Sequence, residues 1–329
     1  MAGEKGSFGL SKSEIAPGVE VTKLCIGSLT VSPMQTNLPL DRAASVMAYA
    51  FDRGIHFTDT AQYYENYHII KAALKRCKAP EKVILSSKTY AYTRELAERA
   101  VEEARRETDR DVIDIFMLHE QESYETLRGH MEALEYLFEC KSRGIIRAVG
   151  ASMHHIAAVK GVSLLHKRGI HLDVIHPIFN MEGIGIADGT IEEMTDAVKE
   201  ARSLGIGVFA MKSLGGGHLY SRADKAFDFV LDSGLCDSVA VGMQSEEEVD
   251  ANISYFENRA FPEKAAHTLK EKKRTLLIEE YCEGCGACAA RCRQKALEVR
   301  NGRAEADMSK CVLCAYCSKV CPVFAIKVI

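Results

Sequence analysis

The sequence predicts an α/β chain: a (β/α)8 TIM barrel followed by a small α+β domain organised around cysteine. Three observations carry this. Short apolar strands alternate with amphipathic helical stretches eight times over about 250 residues, the count and length of such a barrel. No G-x-G-x-x-G follows the first strand, which argues against an open doubly wound sheet. Eight of the 12 cysteines lie from Cys282 onward. The expected division is 1–255 barrel, 256–280 helical connector and 281–329 second domain.

In chain order the strand candidates are VTKLCIGSL, GIHFTDTA, KVILSSK, VIDIFMLH, IIRAVGAS, LDVIHPIFN, IGVFAMKS and CDSVAVGM. Several are near-continuous β-branched and apolar runs, as parallel strands buried on both faces require. Between them run LDRAASVMAYAFDRG, TRELAERAVEEARRE, ETLRGHMEALEYLFECKSRG and TIEEMTDAVKEARSLG, patterned as helices. Gly54, Gly144 and Gly205 end three of these where a C-cap is wanted before the next strand.

A barrel places its chemistry at the C-terminal ends of the strands. Those ends read Asp59 on the second strand, Lys88 on the third and His119 on the fourth, with Tyr64 five residues past Asp59. Each alone has a dull explanation as a cap, a packed ring or a solvated charge. At successive strands about 4.8 Å apart they converge on one mouth. The set makes sense as a proton-delivery device. A phenol titrates near 10 in water, too high for an efficient acid at neutral pH. The Lys88 ammonium is expected to lower it, Asp59 to hold the lysine charged, and His119 to orient a substrate carbonyl.

The cysteines read Cys282-x2-Cys285-x2-Cys288-x3-Cys292 and Cys311-x2-Cys314-x2-Cys317-x3-Cys321-Pro322. This is the bacterial ferredoxin run written twice, and it predicts a ferredoxin-like domain with two [4Fe–4S] clusters. The fourth thiolate of each run crosses over. Cys282, Cys285, Cys288 and Cys321 then hold one cube, and Cys311, Cys314, Cys317 and Cys292 the other. Zinc stops at four ligands and leaves the regular third and fourth cysteines unused. The one departure is Arg293 after Cys292, where the run has Pro. Thiolate-bound cubes need a reducing interior, and Cys25, Cys77, Cys140 and Cys236 are scattered singly. With no apolar h-region in MAGEKGSFGLSKSE and no membrane-length apolar run, the expected location is cytoplasmic.

Of the net charge of −4, residues 281–329 carry +4 and the rest −8. The basic tail offsets the negative charge of thiolate-ligated cubes. With no arginine-rich run and no Trp, nucleic acid is not an expected partner, and neither is a membrane.

FTDTAQYY, VILSSK and DIFMLH resemble the Asp–Tyr–Lys–His segments of the aldo-keto reductase superfamily over about residues 20–255. With the C-terminal segment, the chain is similar to aldo-keto reductase/ferredoxin fusions of anaerobic prokaryotes. The resemblance implies reduction of a small carbonyl substrate by hydride from NAD(P)H, with Tyr64 as proton donor and no Rossmann fold. It places the cofactor against GASMHH, HPIFN, MKSLGGG and VGMQSEEEVDAN. Ser152 and Asn180 match, as does Asn252; Met153, His176, Met211 and Glu248 replace the expected Asn, Gln, aromatic and Arg. Glu65 stands for the usual Gly beside the tyrosine. Glu248 would repel a 2′-phosphate, so NADH is expected to serve at least as well as NADPH. Lys212 with Gly215, Gly216 and Gly217 would cradle the pyrophosphate.

A nicotinamide gives two electrons together and a cube passes one, and a flavin ordinarily joins them. No flavin motif is readable, though a barrel binds flavin without one. The alternative reading is an electron-transfer or redox-sensing module whose barrel holds a flavin or a partner protein and whose tetrad is idle. The 253–280 segment reads as helix, so the ferredoxin domain is expected to dock, over or beside the barrel mouth.

Overall fold

The computed structural model describes residues 9–263, 275–292, 294–311 and 316–328. The chain opens with a hairpin, β1 (Lys12–Ala16) and β2 (Val19–Thr22), that the eight-unit reading does not contain. Eight parallel strands then close a barrel. They are β3 (Leu24–Gly27), β4 (Phe57–Asp59), β5 (Ile84–Thr89), β6 (Ile113–Gln121), β7 (Ile146–Met153), β8 (Val174–Pro177), β9 (Gly207–Ala210) and β10 (Ser238–Gly242). Each neighbours the next in chain order, and β10 returns to β3.

The hairpin plugs the N-terminal end. Its Ile15, Val19 and Val21 join Cys25, Phe57, Ile115, Met117, Val174 and Phe209 in a single apolar plug inside the barrel. Gly207 is required there, because a Cβ would overlap the carbonyl oxygen of Ile15. With the bottom plugged, the cavities that Asp59, Tyr64 and Lys88 line lie at the other end of the strands.

Around the barrel lie α1 (Leu40–Asp52), α2 (Tyr67–Arg76), α3 (Arg94–Thr108), α4 (Tyr124–Gly129), α5 (Met131–Ser142), α6 (Ile156–Lys167), α7 (Ile191–Ser203), α8 (Ala223–Asp232) and α9 (Glu246–Asn258). The helix expected over 125–144 is two helices, broken at His130 (φ −106°, ψ 17°). Gly129 weakens the helix there, and His130 Nδ1 bonds the Thr126 carbonyl at 2.7 Å. Of the connector expected as helix over 256–280, residues 264–274 lie outside the described residues; in the described part the helix ends at Asn258 and Leu276–Ile278 is a strand, because it pairs with the last strand of the chain.

In the C-terminal domain β11 (Leu276–Ile278) pairs antiparallel with β14 (Ile326–Val328), and β12 (Leu297–Arg300) with β13 (Arg303–Ala306). Two short helices, α10 (Ala287–Arg291) and α11 (Tyr316–Lys319), flank them. Ile278, Cys288, Leu297, Ala304, Cys317 and Ile326 form its small core.

This domain sits on the C-terminal end of the barrel. Phe324 packs with Ile184, Leu219 and Ala226, and its ring fills the space where Gly185 and Gly216 lack side chains. Val328 N donates to Gly216 O at 2.9 Å, extending β14 onto the loop after β9. Lys319 pairs with Glu182 at 2.8 Å.

Candidate active site

Parallel register brings the acidic and basic strand ends level. Asp59 ends β4 opposite Ser86, two residues before Lys88 on β5, and the outward alternation of β5 aims both Ser86 and Lys88 at the same interior. The Lys88 ammonium bonds Asp59 Oδ1 at 2.7 Å, Oδ2 at 2.6 Å and the Thr60 carbonyl at 2.7 Å. Ser86 Oγ donates to Asp59 at 3.1 Å. The pair is almost wholly enclosed, with Lys88 at 1% and Asp59 at 4% exposure.

Tyr64 lies on a 3-10 turn, Gln62–Tyr64, held by Tyr64 N→Ala61 O at 3.1 Å. Its partner at the turn's end, Glu65, has φ 51°, the left-handed conformation for which glycine is favoured. The Lys88 ammonium is 5.1 Å from the Tyr64 ring centroid, and the His119 ring meets Tyr64 edge-on at 5.6 Å. The structure therefore brings Asp59, Tyr64, Lys88 and His119 around one space. Tyr63 faces outward, 48% exposed, against Tyr90.

The electrostatics differ from the sequence expectation. Burial pushes the Tyr64 phenol well above its ordinary value, and the Asp59 carboxylate adds to the rise. Lys88 does not reverse this, because its charge is already matched by Asp59 in the same ion pair. At rest Tyr64 keeps its proton. Burial likewise holds His119 well below its ordinary value, so the ring is neutral. Its Nδ1 is buried and has no hydrogen-bond partner among the described residues.

Two cavities meet at this point. One groove encloses about 1140 Å3 of atom-free space and runs from Asp59, Tyr64 and His176 past Met211 and Lys212 to Gln244 and Glu248. The other, about 1480 Å3, lies between Tyr64, Lys88, His119 and the C-terminal domain, where Tyr281, Glu283, Val323 and Phe324 form its far wall. Tyr64, Met211, Lys212 and Phe324 line both.

The residues expected to hold a dinucleotide divide. His176, Met211, Lys212, Gly216 and Glu248 line the groove. His176 is fixed by Phe209 O at 2.6 Å and faces Asp59 at 3.7 Å; burial brings it down to about 4. Ser152, Asn180, Gly215 and Asn252 do not line it. Ser152 Oγ accepts from Glu120 N at 2.9 Å. Asn180 is spent on a local turn, its Oδ1 accepting from Ile184 N and its Nδ2 donating to Ile184 O, both at 2.9 Å. Asn252 bonds its own helix at Glu248 O. The glycine loop departs from a phosphate cradle, since Gly215 N donates to Lys212 O and Gly217 N to Leu214 O. Glu248 Oε2 accepts from Gln244 N at 2.8 Å at the start of α9. Phe324 and Val328 of the C-terminal domain also line this groove.

Cys282, Cys285, Cys288 and, from the second run, Cys321 line one small cavity, the grouping that the crossed-over ligand set calls for. Ala304 N donates to Cys282 Sγ at 3.5 Å and Ala325 N to Cys321 Sγ at 3.2 Å, the bonds that tune a cluster's potential. Among the described residues no three His, Cys, Asp or Glu side chains close on a single-ion site. Cys292 accepts from Ala296 N at 3.3 Å. Cys314 lies outside the described residues, as does Arg293. Glu283 and Val323 wall both the first cysteine cavity and the cavity of Tyr64, Lys88 and His119.

The aldo/keto reductase family model matches residues 23–230, and a 4Fe-4S dicluster domain matches residues 274–322. The chain belongs to the aldo/keto reductase family. This reductase resembles the holo form of an aldo-keto reductase from Bacillus halodurans, at 18% identity and TM-score 0.61 over 80% of this chain and 96% of that one. It also resembles the Bombyx mori aldo-keto reductase in complex with NADP, at 14% identity and TM-score 0.61 over 80% and 92%. At these identities the likeness is one of fold. A stretch of 60 residues is 38% identical to DNA-directed RNA polymerase subunit Rpo3 of Methanosarcina acetivorans, covering 17% of this chain and 23% of that subunit. The reductase is an iron–sulfur oxidoreductase. Among its described residues no helix is long and apolar enough to cross a membrane.

Sequence reasoning missed the residues around the tetrad. Tyr90 stacks on His119 at 4.4 Å and donates to Glu120 at 2.5 Å. Tyr90 lies two residues past Lys88 and Glu120 directly follows His119, so strand-end position was the available signal. Tyr281, Phe324 and Lys327 had none, because they enter from a separate domain.

Proposed function

We propose that this reductase reduces a small carbonyl compound, with Tyr64 as proton donor and a nicotinamide in the adjoining groove as the source of hydride. The observation that carries this is the enclosed Asp59–Lys88 pair beneath Tyr64 and His119, at the junction of a long groove and a separate cavity. A neutral His119 offers one N–H to a carbonyl oxygen and holds it beside the phenol. Tyr64, protonated at rest, gives up its proton as charge develops on that oxygen, and the Lys88 ammonium steadies the phenolate left behind. His176 and Met211 would flank the nicotinamide, and Glu248 the adenosine end. NADH is expected to serve at least as well as NADPH.

The cluster of Cys282, Cys285, Cys288 and Cys321 would exchange electrons with the cavity behind Glu283 and Val323, and a redox partner protein would serve the other cluster. This same shared wall favours the second reading, in which a flavin or a partner occupies the barrel and the tetrad is idle. Anaerobic titration of the cluster-loaded protein with NADH, NADPH and FMN, followed by addition of an aldehyde, separates the two. NADH oxidation matched by aldehyde loss supports the first reading. FMN binding with cluster reduction, and no dinucleotide binding, supports the second.

A further inference from the structure

Where the two cavities join, a lysine stands without an acidic partner. Lys212 follows β9 with a left-handed backbone (φ 56°), unusual for a residue with a side chain. Its ammonium lies 4.1 Å from the Phe324 ring centroid and 2.8 Å from His154 Nε2. Among the described residues no carboxylate is within ion-pair distance of it. The nearby acids have other partners: Glu120 accepts from the Tyr90 hydroxyl at 2.5 Å and lies 3.4 Å from His154 Nε2, and Glu279 pairs with Lys327 at 2.5 Å.

A second cation, Lys327, faces the same junction from β14; His155, Tyr281 and the carboxylates Glu120, Glu122 and Glu283 also line this cavity. Phe324 stabilises the Lys212 charge through its ring face but cannot neutralise it. The cavity holding this lysine also holds Tyr64 and His119.

We propose that Lys212, with His154 beside it, forms an oxyanion subsite, so that the preferred substrate is a carbonyl compound carrying a carboxylate or phosphate group. The proposal rests on reading the cavity as the carbonyl site. An anion on Lys212 supplies the missing counter-charge, and its oxygens would approach the ammonium from the cavity, beside the contact with His154. Burial brings Lys212 down to about 7, with Lys327 adding to the shift, so near neutral pH the amine is partly unprotonated. An oxyanion favours the charged form and therefore draws a proton onto the amine as it binds. Affinity falls as pH rises through that region.

The test is calorimetry on the anaerobic, cluster-loaded protein with benzoate and its neutral isostere benzamide, in buffers of different ionisation enthalpy from pH 6 to 9. Benzoate should bind about tenfold or more tightly than benzamide and take up a fraction of a proton above pH 7. Lys212→Met should abolish the preference. Lys212→Arg should keep it without proton uptake, because a guanidinium stays charged. Equal binding of benzoate and benzamide, or proton uptake that survives in Lys212→Met, overturns the proposal. Lys212-dependent uptake with ADP-ribose and none with benzoate assigns the subsite to a cofactor pyrophosphate and overturns the substrate claim. The carbonyl reading fails separately, by absent aldehyde turnover in a protein that still binds benzoate through Lys212.

Discussion

Replacing Lys88 with Met should destabilise the barrel by about 3–5 kcal/mol, the usual cost of stripping one partner from a buried ion pair. The structure sets the size. Lys88 contributes three short bonds, two to Asp59 and one to the Thr60 carbonyl, and both side chains are nearly inaccessible. Without the ammonium, Asp59 keeps, among the described residues, Ser86 Oγ at 3.1 Å and the more distant His176 at 3.7 Å. A carboxylate left this way bears most of its desolvation cost. Three charged hydrogen bonds at about 1.5–3 kcal/mol each bound the loss from above. Removing the lysine's own desolvation brings it back toward the lower figure. In the double variant Lys88→Met with Asp59→Asn the buried charge is gone, so part of the loss should return as a coupling of about 1–3 kcal/mol. The assay is urea unfolding of the cluster-loaded protein followed by far-ultraviolet circular dichroism, read at unchanged transition slope. Carbonyl reduction should stay low in the double variant even as stability recovers, which separates the pair's catalytic role from its structural one. A Lys88→Met cost below about 1 kcal/mol, or single-variant losses that simply add, would refute the buried-pair argument.

Tyr64→Phe should lower carbonyl reduction by about 10²–10⁴-fold, while Tyr63→Phe, altering an exposed ring, should leave it near wild type; the reverse result would show that the wrong tyrosine faces the substrate. Gly217→Ala should loosen the C-terminal domain, since Gly217 has φ 89° and a Cβ there overlaps the Val328 carbonyl. Amide exchange should rise in residues 326–328 and not in β5 or β6, and unchanged exchange in 326–328 would count against that docking contact. Glu248→Gln keeps an acceptor for the Gln244 amide and removes the charge, so NADPH binding should gain on NADH by about 1–3 kcal/mol in paired titrations. An unchanged ratio would mean the 2′-phosphate lies elsewhere.

The eight-strand barrel was legible because each β/α unit repeats the same local pattern, and the four tetrad residues because each stands at or just past a strand end. The cysteine runs were more direct still, since x2 and x3 spacings are a local geometry that the chain carries wherever it folds. The plugging hairpin was not legible, because β1 and β2 are short and gain meaning only when Ile15 meets Phe57 and Phe209 inside a closed barrel. The state of Tyr64 was misread for the same reason: spacing puts a lysine near it, but only the packed site shows that Asp59 has already matched that charge. Asn180 and the Gly215–Gly217 loop likewise look like ligand contacts in sequence, yet their polar groups are used within their own turns. The sequence by itself determined the two domains, the barrel, the cysteine spacing and the strand-end positions of Asp59, Tyr64, Lys88 and His119, because those depend on spacing. Tertiary structure alone decided that Phe324 and Val328 close on the β9 loop, that one cysteine cavity shares its wall with the cavity of Tyr64, Lys88 and His119, and that no described carboxylate lies within ion-pair distance of Lys212. Those depend on which surfaces meet, and residues more than a hundred positions apart leave no periodic trace of where they will touch.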